Sequence, residues 1–273
     1  MCLLYLCGKM FLPIVTYLYQ HRLKEKHTSM KYFFVSVMIV AASISTQAQT
    51  TKNLVYDANA EVRKVSSFSA IEVSGAIDLY LSQGTEEGVA VSAANDEAKS
   101  HIKAEVTNGT LHIFFEGKGW NWKSWGNTKS KAYVTFKMLK RIEANGACNV
   151  IVVEPIILND LKIDCSGASD FKGQVTITNL VITASGASNI RINGIAEKAS
   201  IEASGASNIK AYDLQTDVCK AEASGAANIR ISVNKELKAQ ASGGATLYYK
   251  GNGNITDVSS SGGATIKKKT DNE

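Results

Sequence analysis

The sequence predicts an all-β fold: a single-stranded parallel β-helix, right-handed by default, with coils of about 19 residues and a hairpin-containing N-terminal part. Three observations carry this. The heptad "ASGASNI" occurs at 184–190 and again at 203–209, and "ASGAANI" follows at 223–229. Aligned glycines recur at Gly146, Gly167, Gly186, Gly205, Gly225, Gly243 and Gly262, with spacings of 21, 19, 19, 20, 18 and 19, and an earlier copy sits at Gly75. The flanking columns alternate with a period of two. Regular self-similarity at such a period marks a solenoid.

The columns say which solenoid. Four residues before each glycine stand Ile71, Ile142, Ile163, Ile182, Ile201, Ala221, Ala239 and Val258. Two before it stand Val73, Ala144, Cys165, Ala184, Ala203, Ala223, Ala241 and Ser260, while polar residues such as Glu72, Glu143, Asp164, Glu202 and Glu222 fall between. Apolar–polar–apolar alternation is a strand with one face buried. Four residues after the glycine a second strand starts at Leu79, Val150, Phe171, Ile190, Ile209, Ile229, Leu247 and Ile266. Helical repeats need coils of roughly 33 residues or more, and the Leu-x-Leu and Asn ladder of leucine-rich repeats is absent. A parallel β-helix remains, each coil climbing one strand spacing of roughly 4.8 Å. The right-handed preference of parallel crossovers sets the expected hand.

Ser-Gly-Ala then marks the corner, where glycine accepts a positive φ or a close approach of stacked backbone. The column Asp78, Asn149, Asp170, Asn189, Asn208, Asn228, Thr246 and Thr265 can hydrogen-bond at the turn and to the next coil; alternation alone leaves open whether it points in or out. Lys267, Lys268 and Lys269 guard the last strand against edge pairing. Between Gly75 and Gly146 the repeat lapses, and less regular coils with a loop leaving the body are expected. Within that stretch "IKAEVTNGTLHIFFE" (102–116) reads as a hairpin turning at Asn108-Gly109, and "AYVTFKM" (132–138) as another strand.

Composition narrows the function classes. The 273 residues carry a formal charge of +5, but residues 1–48 hold five of the 30 bases and one of the 25 acids, leaving +1 on the rest. A balanced body offers no electrostatic case for nucleic acid. "MKYFFVSVMIVAASISTQAQ" (30–49) has one basic residue, an apolar run and small residues Thr46 and Ala48 at a cleavage site, the pattern of an export signal. The expected organisation is therefore 1–29 as a mis-assigned start or an extended n-region, 30–48 as signal peptide and 49–66 as lead-in. The β-helix domain follows at 67–267, and 268–273 form a tail. No integral membrane segment is expected in the mature chain, and the protein is placed in the periplasm or at the cell surface. Cys148, Cys165 and Cys219 form no C-x-x-C pair, and His101 and His112 form no metal cluster. No metal and no cofactor are expected.

Two features are candidate contact sites. Trp120, Trp122 and Trp125 all fall within "GKGWNWKSWGN" (117–127). Exposed indoles stack on sugars or partner surfaces; alternatively this loop folds back and caps the coil stack. Lys172, Arg191, Lys210 and Arg230 form a four-rung basic column, with Lys267 beyond the break at Tyr248. It is either a solvated face or a seat for an acidic glycan or phosphate-rich surface, partly neutralised by the acidic column across the corner. Catalysis lacks a signature. Asp164, Glu202 and Glu222 recur with the period as scaffolding does, whereas a catalytic site should interrupt it, and no glycine-rich loop precedes a helix.

At "FSAIEVSGAIDLYL", "VTNGTLHI" and the "SGASNI" coils the chain resembles the head GIN domain family, over about residues 68–266. That family is described as "putative auto-transporter adhesins", was catalogued as a domain of unknown function, and is common in exported proteins of Bacteroidetes. The resemblance implies no catalytic residues. In departure from the family's name, no C-terminal membrane barrel of the kind an autotransporter needs is expected after Glu273. The function expected is a non-enzymatic envelope module, adhesin-like, binding a glycan or an envelope protein. A polysaccharide-active β-helix enzyme and a purely structural spacer are the alternatives.

Overall fold

The computed structural model describes residues 57–117 and 130–269. The upstream segment 1–29, the export signal 30–48 and the lead-in up to residue 56 lie outside the described residues. So do Trp120, Trp122 and Trp125, and the last four residues of the tail. The described chain is a parallel β-solenoid of about seven turns with coils about 19 residues apart.

The regular coils are β10 (Ile156–Cys165), β11 (Asp170–Ala184), β12 (Asn189–Ala203), β13 (Asn208–Ala223), β14 (Asn228–Ala241), β15 (Thr246–Lys250), β16 (Asn254–Ser260) and β17 (Thr265–Lys268). Each pairs in parallel with the equivalent segment one coil on, so that Ile163, Ile182, Ile201 and Ala221 stack as one buried ladder. Phe171, Ile190, Ile209 and Ile229 form a second. Strands β11 to β14 run unbroken from one glycine corner to the next, and this sequence reasoning did not foresee. In β11 the in–out alternation slips phase at Thr178–Asn179, where the strand bends, so a third buried set (Val175, Ile177, Ala196, Leu214, Val233) closes the coil.

At the corners the backbone bonds coil to coil. The amide of Ala168 donates to the carbonyl of Gly146, Ala187 to Gly167, Ala206 to Gly186 and Ala226 to Gly205, at 2.7–2.8 Å. The glycines there have φ between 68° and 96°. A Cβ on Gly186 would stand 2.6 Å from the Gly167 carbonyl oxygen, so both the dihedral and the stacking exclude a side chain. Just past the corner the buried hydroxyls of Ser188 and Ser207 donate to Ser185 and Ser204 carbonyls at 2.8 Å, satisfying groups that water cannot reach.

Unequal coil lengths are absorbed away from the corners. The register shifts between Arg191 and Gly194 in the β12–β13 pair, and between Ala211 and Gln215 in the β13–β14 pair. Such bulges break the ladder locally. Two buried hydroxyls meet the carbonyls at this bend: Thr216 Oγ1 donates to Ser232 O at 2.7 Å, and Ser232 Oγ to Tyr212 O at 2.6 Å.

The N-terminal lapse has a specific form. β2 (Ala70–Gly75) and β3 (Ile77–Gln83) make one coil, on which β8 (Arg141–Gly146) and β9 (Asn149–Val152) stack directly, placing Gly146 against Gly75. The intervening chain forms β4 (Gly88–Ser92), the short helix α1 (Asp96–Ser100), β5 (Ile102–Thr107), β6 (Thr110–Phe115) and β7 (Ser130–Phe136). β6 and β7 pair in parallel with the other edges of β2 and β3. The coil that comes second in sequence thus lies outside the first. β5 then pairs antiparallel with β6, β4 with β7, and β1 (Glu61–Arg63) with β4, ending the parallel stack. The β5–β6 turn has Asn108 at φ 51° and Gly109 at φ 73°, the two positive angles a tight two-residue hairpin turn demands.

Candidate functional site

The outward surface of the strand that follows each corner carries the basic column. Strand register stacks Tyr133, Tyr80, Ile151, Lys172, Arg191, Lys210, Arg230, Tyr248 and Lys267 one above another. At the strand spacing of about 4.8 Å, the four consecutive cations span about 14 Å. Lys172 and Arg191 are exposed, Lys210 and Arg230 half-buried. Two residues earlier along the same strands runs the Asp/Asn column, and it points outward. Asn149 Nδ2 donates to Asp78 Oδ1 at 2.6 Å and Asn189 Nδ2 to Asp170 Oδ1 at 2.9 Å. Together the two columns line a shallow groove of about 440 Å³ that runs from Asp78 and Tyr80 to Asn208 and Lys210.

Aromatic rings border this surface. Tyr80 stacks on Tyr133 with centroids 5.1 Å apart. Tyr133 donates its hydroxyl to Asp57 at 2.8 Å; burial and that carboxylate push the hydroxyl far above its usual range. Farther along the stack the ammonium of Lys250 lies 4.9 Å from the Tyr212 ring centroid and that of Lys269 5.2 Å from Tyr248. Burial raises the Tyr212 hydroxyl, while Arg230 and Lys269 pull the other way.

The acidic column on the strand before each corner is arranged differently. Three acids there are partnered by a base two residues earlier on their own strand: Arg141 with Glu143 at 2.6 Å, Lys162 with Asp164 at 3.0 Å and Lys220 with Glu222 at 2.6 Å, whereas Glu202 has Ser200 at that place and so no such base. His112 Nδ1 lies 3.1 Å from Glu72. The expectation that the acidic column partly neutralises the basic ladder across the corner is therefore corrected for Glu143, Asp164 and Glu222, whose close partners are on their own strands. Among the described residues Lys172, Arg191, Lys210 and Arg230 make no ion pair. Sequence reasoning missed these partners, although the signal was present as a base-x-acid pattern, since residues two apart share one face of a strand.

Of the predicted contact residues, the structure brings Lys172, Arg191 and Lys210 together in the groove and puts Arg230 on the next rung. The corner glycines Gly75, Gly146, Gly167, Gly186, Gly205, Gly225, Gly243 and Gly262 stack on the ridge beside it. Cys148, Cys165 and Cys219 are buried thiols. No helix among the described residues is long and apolar enough to cross a membrane.

Stacked corners, packed interior ladders and an open polar groove define a β-solenoid whose accessible chemistry lies on its outer faces. The chain belongs to the family described as "Putative auto-transporter adhesin, head GIN domain", whose model matches residues 67–253. Solved structures share the fold. A "putative adhesin" from Bacteroides fragilis is 22% identical, with a TM-score of 0.72 over 77% of this chain and 96% of that one. One from Parabacteroides merdae is 19% identical, with a TM-score of 0.62 over 77% and 95%. A "putative lipid binding protein" from Parabacteroides distasonis is 23% identical, with a TM-score of 0.57 over 78% and 98%. No curated protein matches the chain.

Proposed function

We propose that this protein is an exported, non-enzymatic envelope module that binds a glycan or a protein partner, working in the periplasm or at the cell surface. The observation that carries this reading is the groove itself: a ladder of cations that have no ion-pair partner among the described residues, beside a column of asparagine amides and aspartates, while Glu143, Asp164 and Glu222 on the strand before each corner keep bases beside them. A surface held ready with unsatisfied donors is suited to a ligand from outside. The adhesin family supports the same class. The signal at 30–48 supports export, and Trp120, Trp122 and Trp125, which lie outside the described residues, are a further candidate contact set by their residue type.

Non-enzymatic binding is supported by the placing of the carboxylates. Asp164 and Glu222 are partnered by bases on their own strands and repeat with the coil. The mature protein, displayed to a panel of acidic and neutral glycans and to solubilised envelope proteins, is expected to retain one class without releasing reducing sugar. Release of reducing ends would move the protein to the polysaccharide-active enzymes. Retention of nothing would leave a structural spacer. Loss of retention on Trp120→Ala with Trp122→Ala would assign the contact to that loop, and full retention would remove the loop from the reading.

A further inference from the structure

We infer that the ligand of this groove is a linear anionic polysaccharide, lying along the solenoid axis with its successive acid groups over Lys172, Arg191, Lys210 and Arg230. The inference rests on the binding-module reading and goes on to name the chemistry and direction of the ligand.

Spacing supplies the first argument. The cations sit on consecutive rungs in strict register, Lys172 opposite Arg191, Arg191 opposite Lys210, and Lys210 opposite Arg230. They therefore repeat at about 4.8 Å along a straight line. A single small anion can use one or two of them. A polymer that carries one carboxylate or sulfate per sugar repeats its charge on the same length scale and can use all four. Like charges held this close repel, and no acid among the described residues pairs with them, so the ladder gains most from an incoming row of anions.

The neighbouring groups fit a sugar. The amides of Asn149, Asn189 and Asn208 run parallel to the cations and line the same groove. The two carboxylates on this face, Asp78 and Asp170, each accept an amide hydrogen bond from the next rung. Amide and carboxylate together offer donors and acceptors to hydroxyls at each coil. At the N-terminal end the cations give way to Ile151 and to Tyr80, whose ring stacks on the buried Tyr133, so apolar side chains border the groove there and can contact the C–H groups of a sugar. The groove is open along its length, so it suits an internal stretch of chain and needs no chain end.

The test uses the mature protein and three polymers: polygalacturonate for carboxylate, chondroitin sulfate for mixed carboxylate and sulfate, and dextran as the neutral control. Calorimetry or biolayer interferometry should show binding to at least one acidic polymer and not to dextran, with log affinity falling linearly with log salt as counterions are displaced. The variant Lys172→Gln/Arg191→Gln/Lys210→Gln/Arg230→Gln should lose about tenfold or more in affinity and show a shallower salt slope. Arg141→Gln/Lys162→Gln/Lys220→Gln/Lys238→Gln removes the same charge from the other face and should keep its affinity. Circular dichroism and melting temperature check that both variants fold; if the ladder variant does not, the two middle substitutions alone are used, with a proportionate loss expected. Equal losses in both variants would reduce the effect to net charge and overturn the inference. Absence of acidic-polymer binding would also overturn it, and neutral-glycan or envelope-protein retention in the same experiment would leave the broader binding-module reading in place.

Discussion

At the scale of single residues the corner glycine is the least replaceable group. Gly186 sits at φ 68° with the Gly167 carbonyl where a Cβ would go. Gly186→Ala is expected to destabilise by about 1–3 kcal/mol from the dihedral alone, with the clash adding to it. Gly88→Ala meets nothing within 4 Å and should stay within about 0.5 kcal/mol; urea denaturation of the two compares them. The buried thiols set a pH limit. Burial, with Asp164 and Asp170 adding to it, pushes Cys165 up to about 12, and burial alone does the same for Cys219. Because the folded values lie above the ordinary thiol value of 9.0, the folded state holds protons that the unfolded chain releases. Their contribution is complete below pH 9 and is lost as pH rises toward 12. Denaturation midpoints should fall between pH 8.5 and about 10.5, and by less in Cys165→Ala/Cys219→Ala.

At the scale of elements, what holds a coil depends on where in the coil one looks. Corners are uniform and bond through backbone, whereas the mid-coil bend takes up length differences with bulges and buried hydroxyls. Thr216→Val keeps the shape and removes the donor to Ser232 O, so it should cost about 1–3 kcal/mol. The exposed Thr176→Val should cost almost nothing. The same contrast explains what could be read from the sequence. Corner columns such as Ile163, Ile182 and Ile201 align because every corner meets the same steric demand. The third buried set, Val175, Ala196, Leu214 and Val233, does not align at a fixed offset from the glycine, because the register shifts fall in just that stretch. The hairpin turn at Asn108-Gly109 was legible because both residues must take positive φ, a local demand. The placement of β6 and β7 outside β2 and β3 was not, because no Ser-Gly-Ala corner joins them.

At the scale of the whole molecule the faces differ in electrostatic state. One carries acids and bases paired along β8, β10, β13 and β14; the other keeps its cations without an ion-pair partner among the described residues, beside a column of Asn and Asp. The basic column was visible in the sequence. Its freedom from partners was not, since that depended on which strand each acid shares. The two ends differ as well. At the N-terminal end, strands turn antiparallel. At the C-terminal end, β16 is exposed along its length and β16 and β17 are paired on one side among the described residues, with Lys267 and Lys268 on the edge.

The out-of-order N-terminal coil also bears on how the chain finds its shape. Most rungs join residues about 19 apart, as Asn189 and Asp170 are, but the rung between Asn149 and Asp78 joins residues 71 apart. Closing the longer loop costs about 1 kcal/mol more entropy, and β2 must hold partners on both edges at once. Assembly should therefore nucleate among the C-terminal coils and spread toward the N-terminus, against the direction in which the chain is synthesised. Pulse-labelled hydrogen exchange would show it: the amides of β11 to β14 protected early, those of β2 and β6 late, with simultaneous protection counting against this order.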